Sequence, residues 1–493
     1  MNERTLYLGL DVGTSGVKAV LLGDSGEVRF EAGEGYDVSH PRLSWSEQSP
    51  GMWWQACVAA MRSLADQGAR LEAVAAIGVA GQMHGAVLLD AEGEVIRPAI
   101  LWNDGRSVAE CDELERRVPD LRRRSGNLCM PGFTAPKLLW LARNEPDAMA
   151  RVATVMLPKD YIVFRLTGAR VTEMSDASGT VWLDPARRDW DDTLVEACGL
   201  GREQLPTLHE GSDVVGRVTA EASERLALPR VPVVAGAGDN AAGAVGAGVV
   251  DAGQGFLSLG TSGVVFVASD AHRPLPERTV HAFCHCLPGR WHQMAVTLSA
   301  AESLRWFAGV VGREVGDLID LVERRGALES DLLFLPYLAG ERTPHNDAGA
   351  VGIFHGLRAN SRVEDMALAV MEGVAFSFCD GLDALNAAGA AAKRLSVLGG
   401  GARSRFWRQL CADALGVPLE YRESGAVGPA FGAARLARIA TMPEEVDTAI
   451  REVCTTPAVL DTHQPDPGRH DYLTRKLERY RRLYRLTREL HTG

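Results

Sequence analysis

Apolar runs broken by short glycine turns dominate the start of the chain. Leu6-Tyr7-Leu8-Gly9-Leu10 reads as a buried strand, Gly13-Thr14-Ser15-Gly16 as a tight turn and Val17-Lys18-Ala19-Val20-Leu21-Leu22 as the returning strand, the pattern of a β-hairpin. Half a chain later the pattern recurs in Phe256-Leu257-Ser258-Leu259, Gly260-Thr261-Ser262-Gly263 and Val264-Val265-Phe266-Val267, and residues 13–17 and 260–264 are identical. A second parallel accompanies the first: Ala73 to Gly81 and Leu395 to Gly401 each carry an apolar strand into glycine. Helical spacing of apolar residues runs from Trp53 to Leu64 and from Val363 to Leu385. Strands alternating with helices predict α/β layers, and the repeat predicts two similar domains. Residues 100–230, rich in Arg and Trp, read as an elaboration carrying substrate contacts. The segment Tyr472–Leu490 predicts an amphipathic helix, with Leu473, Leu477, Tyr480, Leu483, Tyr484 and Leu486 on the apolar face. Arg475, Lys476, Arg479, Arg482 and Arg485 ring that face, and packing on its own domain is the reading preferred over membrane binding.

Composition narrows the field. The chain has 493 residues, 46% hydrophobic and 24% charged, long enough for two cores. A formal net charge of −12 repels phosphate backbones and anionic lipids, so neither nucleic acid nor a membrane is an expected partner. Met1-Asn2-Glu3-Arg4 lacks the basic and apolar runs of a secretory leader. Nine scattered cysteines suit reduced thiols and a cytoplasmic location. The run His281-Ala282-Phe283-Cys284-His285-Cys286 has no second ligand pair at zinc-finger spacing and reads as buried strand.

The candidate chemistry lies at the glycine turns. Gly13 and Gly16 let one turn present backbone N–H groups as an anion nest, with Thr14 and Ser15 adding hydroxyls. Asp11 cannot bind phosphate directly but can hold Mg²⁺ through water. The second hairpin has Ser258 in place of Asp11, so it would grip phosphates without a carboxylate. In Gly236-Ala237-Gly238-Asp239-Asn240, the spacing of a dinucleotide fingerprint is rejected, because it would set Asp239 against a pyrophosphate. Asp239 on a glycine loop suits a general base, and Asn240 a second contact to a sugar hydroxyl. Gly81-Gln82-Met83-His84-Gly85 follows a strand end, where His84 reads either as a sugar contact or as a structural histidine. Trp102-Asn103-Asp104 offers an aromatic face to a sugar. Gly399-Gly400-Gly401 before a helix allows close approach of a flat ring or phosphate. No P-loop and no protein-kinase signature is present.

Together these residues resemble the FGGY family of carbohydrate kinases, and the resemblance spans essentially the whole chain. Two extended patterns carry it, Gly132-Phe133-Thr134-Ala135-Pro136-Lys137 onward to Asn144, and Gly352-Ile353-Phe354-His355-Gly356-Leu357 through to Glu372. Trp45-Ser46-Glu47-Gln48, Leu157-Pro158-Lys159-Asp160-Tyr161 and Gly340-Glu341-Arg342-Thr343-Pro344-His345 narrow it toward kinases of D-xylulose, with another ketopentose or polyol such as ribulose as the alternative. The resemblance implies two actin-like (ribonuclease H-like) ATPase domains around a catalytic cleft, with residues 1–245 binding sugar and 246–493 binding nucleotide. It implies ATP and Mg²⁺ and admits a homodimer. Asp239 would be the catalytic base and Asp11 the metal-associated carboxylate, with Asp239 also near the metal. Met83, His84, Trp102, Asp239 and Asn240 would meet the sugar. Gly13, Thr14, Ser15, Lys18, Gly260 and Thr261 would hold phosphates, and Gly400 and Gly401 would flank the adenosine. Where many members carry Asn after those glycines, this chain has Arg403-Ser404-Arg405. Glu341 and Arg342 match the pattern without an assigned role. A nucleotide switch without catalysis is the rival from another class, and a base facing a sugar site argues against it.

Overall fold

The structure, a computed structural model, describes residues 5–326, 329–423 and 428–490. Met1–Arg4, read above for a leader, lie outside the described residues. Among those described, two seven-stranded sheets follow one plan. In the first, Leu6–Val12 pairs antiparallel with Gly16–Gly23, which pairs antiparallel with Val28–Gly35. On its other side Leu6–Val12 runs parallel to Val74–Gly81, itself parallel to Pro232–Val234. In the second, Gly255–Leu259, Gly263–Ser269 and Trp291–Thr297 make the antiparallel run, and Leu395–Leu398 then Leu419–Arg422 make the parallel one. The repeated hairpins thus mark repeated sheets. The identical turns still close differently. Val12 faces Val17 in the first, with the Gly13 N–H donating to the Gly16 carbonyl at 3.0 Å, whereas Leu259 faces Gly263 in the second, one residue tighter.

Parallel neighbours require a crossover, and helices supply it. Pro50–Asp66 starts with proline at a position whose N–H is spare and buries Trp53, Trp54, Cys57, Met61 and Leu64. Val363–Ala387 is apolar almost all round and forms the axis of the second core. The His281–Cys284 run is a buried strand. All nine cysteines are buried and free. No described helix is long and apolar enough to cross a membrane.

The C-terminal helix, Pro467–Thr487, buries Leu473, Leu477, Tyr480, Leu483 and Tyr484 as the spacing predicts. Two residues depart from that expectation. Leu486 is 67% exposed, because the stripe through 480, 483 and 484 continues at 487. Lys476 is buried rather than solvated: it faces the Val363–Ala387 helix and pairs with Glu372 at 2.6 Å, which makes burial of the charge tolerable.

One helix ties the halves together. Pro429–Ile439, from the second half, lies on the first sheet and on the Asp239–Ala247 helix. The contact is backbone to backbone. A Cβ on Gly9 would stand 1.8 Å from the Ala430 carbonyl oxygen, one on Gly78 2.0 Å from that of Ala433, and one on Gly432 1.8 Å from that of Ala242. Arg435 donates to the carbonyls of Val245 and Gly246, at 2.9 and 3.2 Å, closing the C-terminus of the Asp239–Ala247 helix.

Gly432→Ala forces these two helices apart. It is expected to lower the unfolding free energy by about 1–3 kcal/mol, the range for overpacking, read from urea denaturation; an unchanged midpoint would show that the helices separate without cost.

Candidate functional site

Asp239 opens the Asp239–Ala247 helix, with Gly238 as its N-cap, so it is not the loop residue the glycines suggested. Its small-residue continuation, Ala241 to Ala247, lets the helix lie against Pro429–Ile439. Asn240 holds one oxygen: its backbone N–H and its side-chain amide both donate to Asp239 Oδ1, at 2.7 and 2.8 Å. The other oxygen, Oδ2, accepts from no described group. With one amide N–H so committed, Asn240 keeps its carbonyl oxygen without a partner among the described residues. Burial raises the Asp239 carboxyl to about 6 against the lowering effect of the Asn240 bonds. Asp11 is raised to about 7, first by burial and then by the charge of Asp239, and its Oδ1 has no partner among the described residues.

The first hairpin is pinned from several sides. Trp102 Nε1 donates to Thr14 Oγ1 at 2.9 Å, Thr14 Oγ1 to Gln82 at 3.1 Å, Gln48 to the Thr14 carbonyl at 2.7 Å, and Tyr36 to the Gly13 carbonyl at 2.6 Å. The Gly13 N–H is used in closing its own turn. Lys18 lies opposite Asp11 in the strand register and pairs with Glu31 at 3.0 Å. At the second hairpin, the carbonyls of Gly260 and Thr261 accept from the N–H groups of Ala301 and Ala300, at 2.7 and 2.9 Å.

Three adjoining cavities run through the cleft. The first, about 300 Å³, is lined by Met83, His84, Trp102, Asp239, Asn240 and Arg342 among others. The second, about 420 Å³, shares Asp239, Asn240 and Ser258 with it and continues to Gly399, Gly400 and Arg403. The third, about 880 Å³, shares Gly400 and Arg403 with the second and is lined by Gly260, Thr261, Gly401 and Trp407. Asp239 therefore stands where the first cavity meets the second.

His84 is held for a polar task. Its backbone is left-handed, φ 69°, a conformation uncommon outside glycine. Lys137 and Thr134 donate to its carbonyl at 2.8 and 3.2 Å, and its Nδ1 lies 2.9 Å from the Gly179 carbonyl oxygen. That bond assigns the proton to Nδ1 and leaves Nε2 an acceptor facing the cavity. Burial lowers the imidazole to about 3, so it is neutral at physiological pH.

Beneath Asp239 lies a buried charge cluster. Lys159 pairs with Asp160 and lies 3.8 Å from Glu173 and 3.9 Å from Asp176, all within the core. Glu173 accepts from Ser175 N, Asp176 N and Ser175 Oγ, at 2.7, 2.8 and 2.9 Å, and from the Gly238 N–H at 3.1 Å. It thereby fixes the residue before Asp239. Burial pushes the carboxyls of Glu173 and Asp176 up.

Met83, His84, Trp102, Asp239 and Asn240 line the first cavity and Gly260, Thr261, Gly400 and Gly401 the third, whereas Asp11, Gly13, Thr14, Ser15 and Lys18 line none of the three; Asp11 is near enough for the charge of Asp239 to act on it, and Thr14 reaches the first cavity through its bond from Trp102. Sequence reasoning missed Glu173, Ser258 as a cavity residue, His281 as a cavity wall and the placement of Arg342. The acids Glu173 and Asp176, three residues apart among small and hydroxyl side chains, were the one available signal for the first.

Family models for the FGGY family of carbohydrate kinases match the chain at both ends, the N-terminal domain over residues 6–246 and the C-terminal domain over 255–441. The chain is 50% identical over 480 residues to the xylulose kinase of Escherichia coli (strain K12), covering 97% of this chain and 98% of that one. To the xylulose kinase of Klebsiella pneumoniae it is 48% identical over 481 residues, with coverage of 97% and 98%. The crystal structure of a xylulose kinase from Rhodospirillum rubrum superposes with a TM-score of 0.91 at 29% identity, covering 99% of this chain and 100% of that one.

Removing Glu173 as Glu173→Ala leaves the Gly238 N–H with Ser175 Oγ as its one acceptor, at 3.1 Å, frees the Ser175 and Asp176 N–H groups it holds, and leaves the buried Lys159 short of a counter-charge. Unfolding free energy is expected to fall by about 3–5 kcal/mol, measured by urea denaturation; a loss below 1 kcal/mol would mean that Asp160 alone compensates Lys159.

Proposed function

The chain belongs to the FGGY family of carbohydrate kinases, and from that premise we propose that it transfers the γ-phosphoryl group of ATP to the terminal hydroxyl of D-xylulose, giving D-xylulose 5-phosphate and ADP. The observation that carries this reading is the position of Asp239, which borders both the cavity lined by Met83, His84 and Trp102 and the one leading to Gly399 and Gly400. Sugar occupies the first cavity, the phosphates the second and the adenosine the third. Residues up to about 245 and those beyond thus share the sugar site, and the latter supply most of the nucleotide site.

Oδ2 of Asp239, free of protein partners, accepts the proton of the 5-hydroxyl as that oxygen attacks phosphorus. The new O–P bond forms in line with the bond to the β,γ-bridging oxygen, which leaves with ADP. The helix N-terminus beneath Asp239 favours its charged form, so the carboxylate is available at neutral pH despite burial. Asn240 fixes Oδ1 and so aims Oδ2. The Gly260-Thr261 turn lines the third cavity, where the phosphates lead into the adenosine, and Trp102 ties the first hairpin to the sugar site by hydrogen-bonding Thr14 while walling the sugar cavity.

Asp11 and Asp239 fit a hydrated Mg²⁺. One Asp11 oxygen is buried without a partner among the described residues, the charge of Asp239 raises the Asp11 carboxyl and so its need for a cation, and among the described residues no third ligating side chain gathers with them. When bound, the ion neutralises and orients phosphate oxygens. The expected cytoplasmic location accords with nine reduced, buried thiols.

A coupled ADP assay over a panel of ketopentoses and polyols tests the assignment. D-Xylulose is expected to exceed D-ribulose, its C3 epimer, in kcat/KM by about tenfold or more, because an epimer leaves a buried partner unpaired; equal use of both would remove the xylulose assignment. Asp239→Asn is expected to lower kcat by at least about a hundredfold with little change in sugar binding. Because the base acts deprotonated and its carboxyl stands at about 6, kcat/KM falls as pH drops below that value; a flat profile from pH 8 to pH 5 would exclude Asp239 as the titrating base.

A further inference from the structure

Arg342 brings into the sugar cavity a guanidinium with no hydrogen bond or ion pair among the described residues, and its sequence neighbour Glu341 is the one charge acting in its favour. Its neighbours in sequence are bolted down. Glu341 accepts from Thr297 Oγ1, Leu298 N and Arg342 N, at 2.6, 3.0 and 2.7 Å. The Thr343 N–H donates to Val296 O, and Val296 N–H donates to Thr343 Oγ1, both at 3.0 Å. The backbone on both sides of Arg342 is thus fixed to the Trp291–Thr297 strand of the second sheet, while its side chain lines the cavity that both halves build. Among the described residues its guanidinium makes no hydrogen bond and no ion pair. A desolvated guanidinium so placed calls for an acceptor from the ligand.

Its place in the cavity says which part of the ligand. Arg342 lies at the aromatic and histidine end, where Phe133 stands 4.8 Å from His84 and 5.6 Å from His281. Arg342, His84, His281 and Phe133 line the first cavity alone, whereas Asp239 also borders the second. The guanidinium therefore stands on the sugar side of the carboxylate that faces the reacting hydroxyl.

Resting on the D-xylulose reading, we infer that Arg342 is a specificity-determining sugar residue supplied by the second half, donating to the C2 carbonyl oxygen at the end of the ketose opposite the phosphorylated hydroxyl. The chemistry is matched. Arginine only donates and a ketone oxygen only accepts, while His84 Nε2, an acceptor, takes the O–H of a neighbouring hydroxyl. The same cation suits a carboxylate at that end, so D-xylonate, with the same five carbons and an anionic C1, fits as a competitive ligand.

The test measures D-xylulose kinetics and D-xylonate inhibition in the wild type, Arg342→Gln and Arg342→Lys. Arg342→Gln is expected to raise KM for D-xylulose about 10- to 100-fold, the loss expected of a charged hydrogen bond, with KM for MgATP unchanged as evidence of an intact fold. D-Xylonate is expected to compete with D-xylulose in the wild type, to weaken about tenfold or more in Arg342→Gln and to recover partly in Arg342→Lys. Unchanged KM and unchanged D-xylonate inhibition in Arg342→Gln would overturn the assignment and leave the kinase reading standing. A wild type without ketose-dependent ADP release would overturn both.

Discussion

The cleft depends on a contact that has no side chain in it. Gly9, Gly78 and Gly432 let the Pro429–Ile439 helix rest its backbone on two central strands of the first sheet and on the Asp239–Ala247 helix. Nothing larger fits, so the separation between these elements is set by van der Waals radii rather than by adaptable side chains. The Asp239–Ala247 helix is consequently held along its length, at its start by Glu173 through Gly238 and at its end by Arg435. The carboxylate at its first residue inherits that rigidity, and a base must be placed to within a fraction of an ångström to act in line.

The charges around the cleft follow a common logic. Lys159 neutralises part of a buried group of carboxylates, and Asp176 among them keeps both oxygens without hydrogen-bond partners in the described residues. Above it, Asp11 and Asp239 are likewise acids held away from water, and in the sugar cavity the Arg342 guanidinium makes no hydrogen bond among the described residues. Groups left short of partners in an otherwise well-satisfied interior mark where ligands complete the structure. The two carboxylates look for cations and protons, and the guanidinium for an oxygen.

Much of this was legible in the sequence, because much of it is local. The hairpins announce themselves through apolar runs and glycine turns, and their repetition exposes the doubled sheets. Asp239, Asp11 and His84 stand at strand ends in glycine context, where function is a fair guess. The helix beginning at Asp239 was hidden because Asp239 to Ala247 is nearly all small residues and shows no amphipathic period. Glu173 was hidden because its decisive bond reaches Gly238 across 65 residues. Arg342 had no partner to be found, since what it meets is a cavity assembled from both halves. The identical turns at residues 13–16 and 260–263 close in different registers, so even five shared residues leave hydrogen bonding to their flanks.

The return of Pro429–Ile439 to the first sheet also sets a timetable for synthesis. All seven strands of that sheet have been made by residue 238, yet the helix that covers them emerges with Arg435, 190 residues after the Val245 that it caps. At ordinary elongation rates of about 5–20 residues per second, the uncovered face waits roughly 10–40 s. During that interval the nascent first half is a sheet with an apolar side open, the kind of surface that chaperones bind. The final shape of the N-terminal half is therefore a late event in the birth of the chain, reached only when nearly all of it has been made.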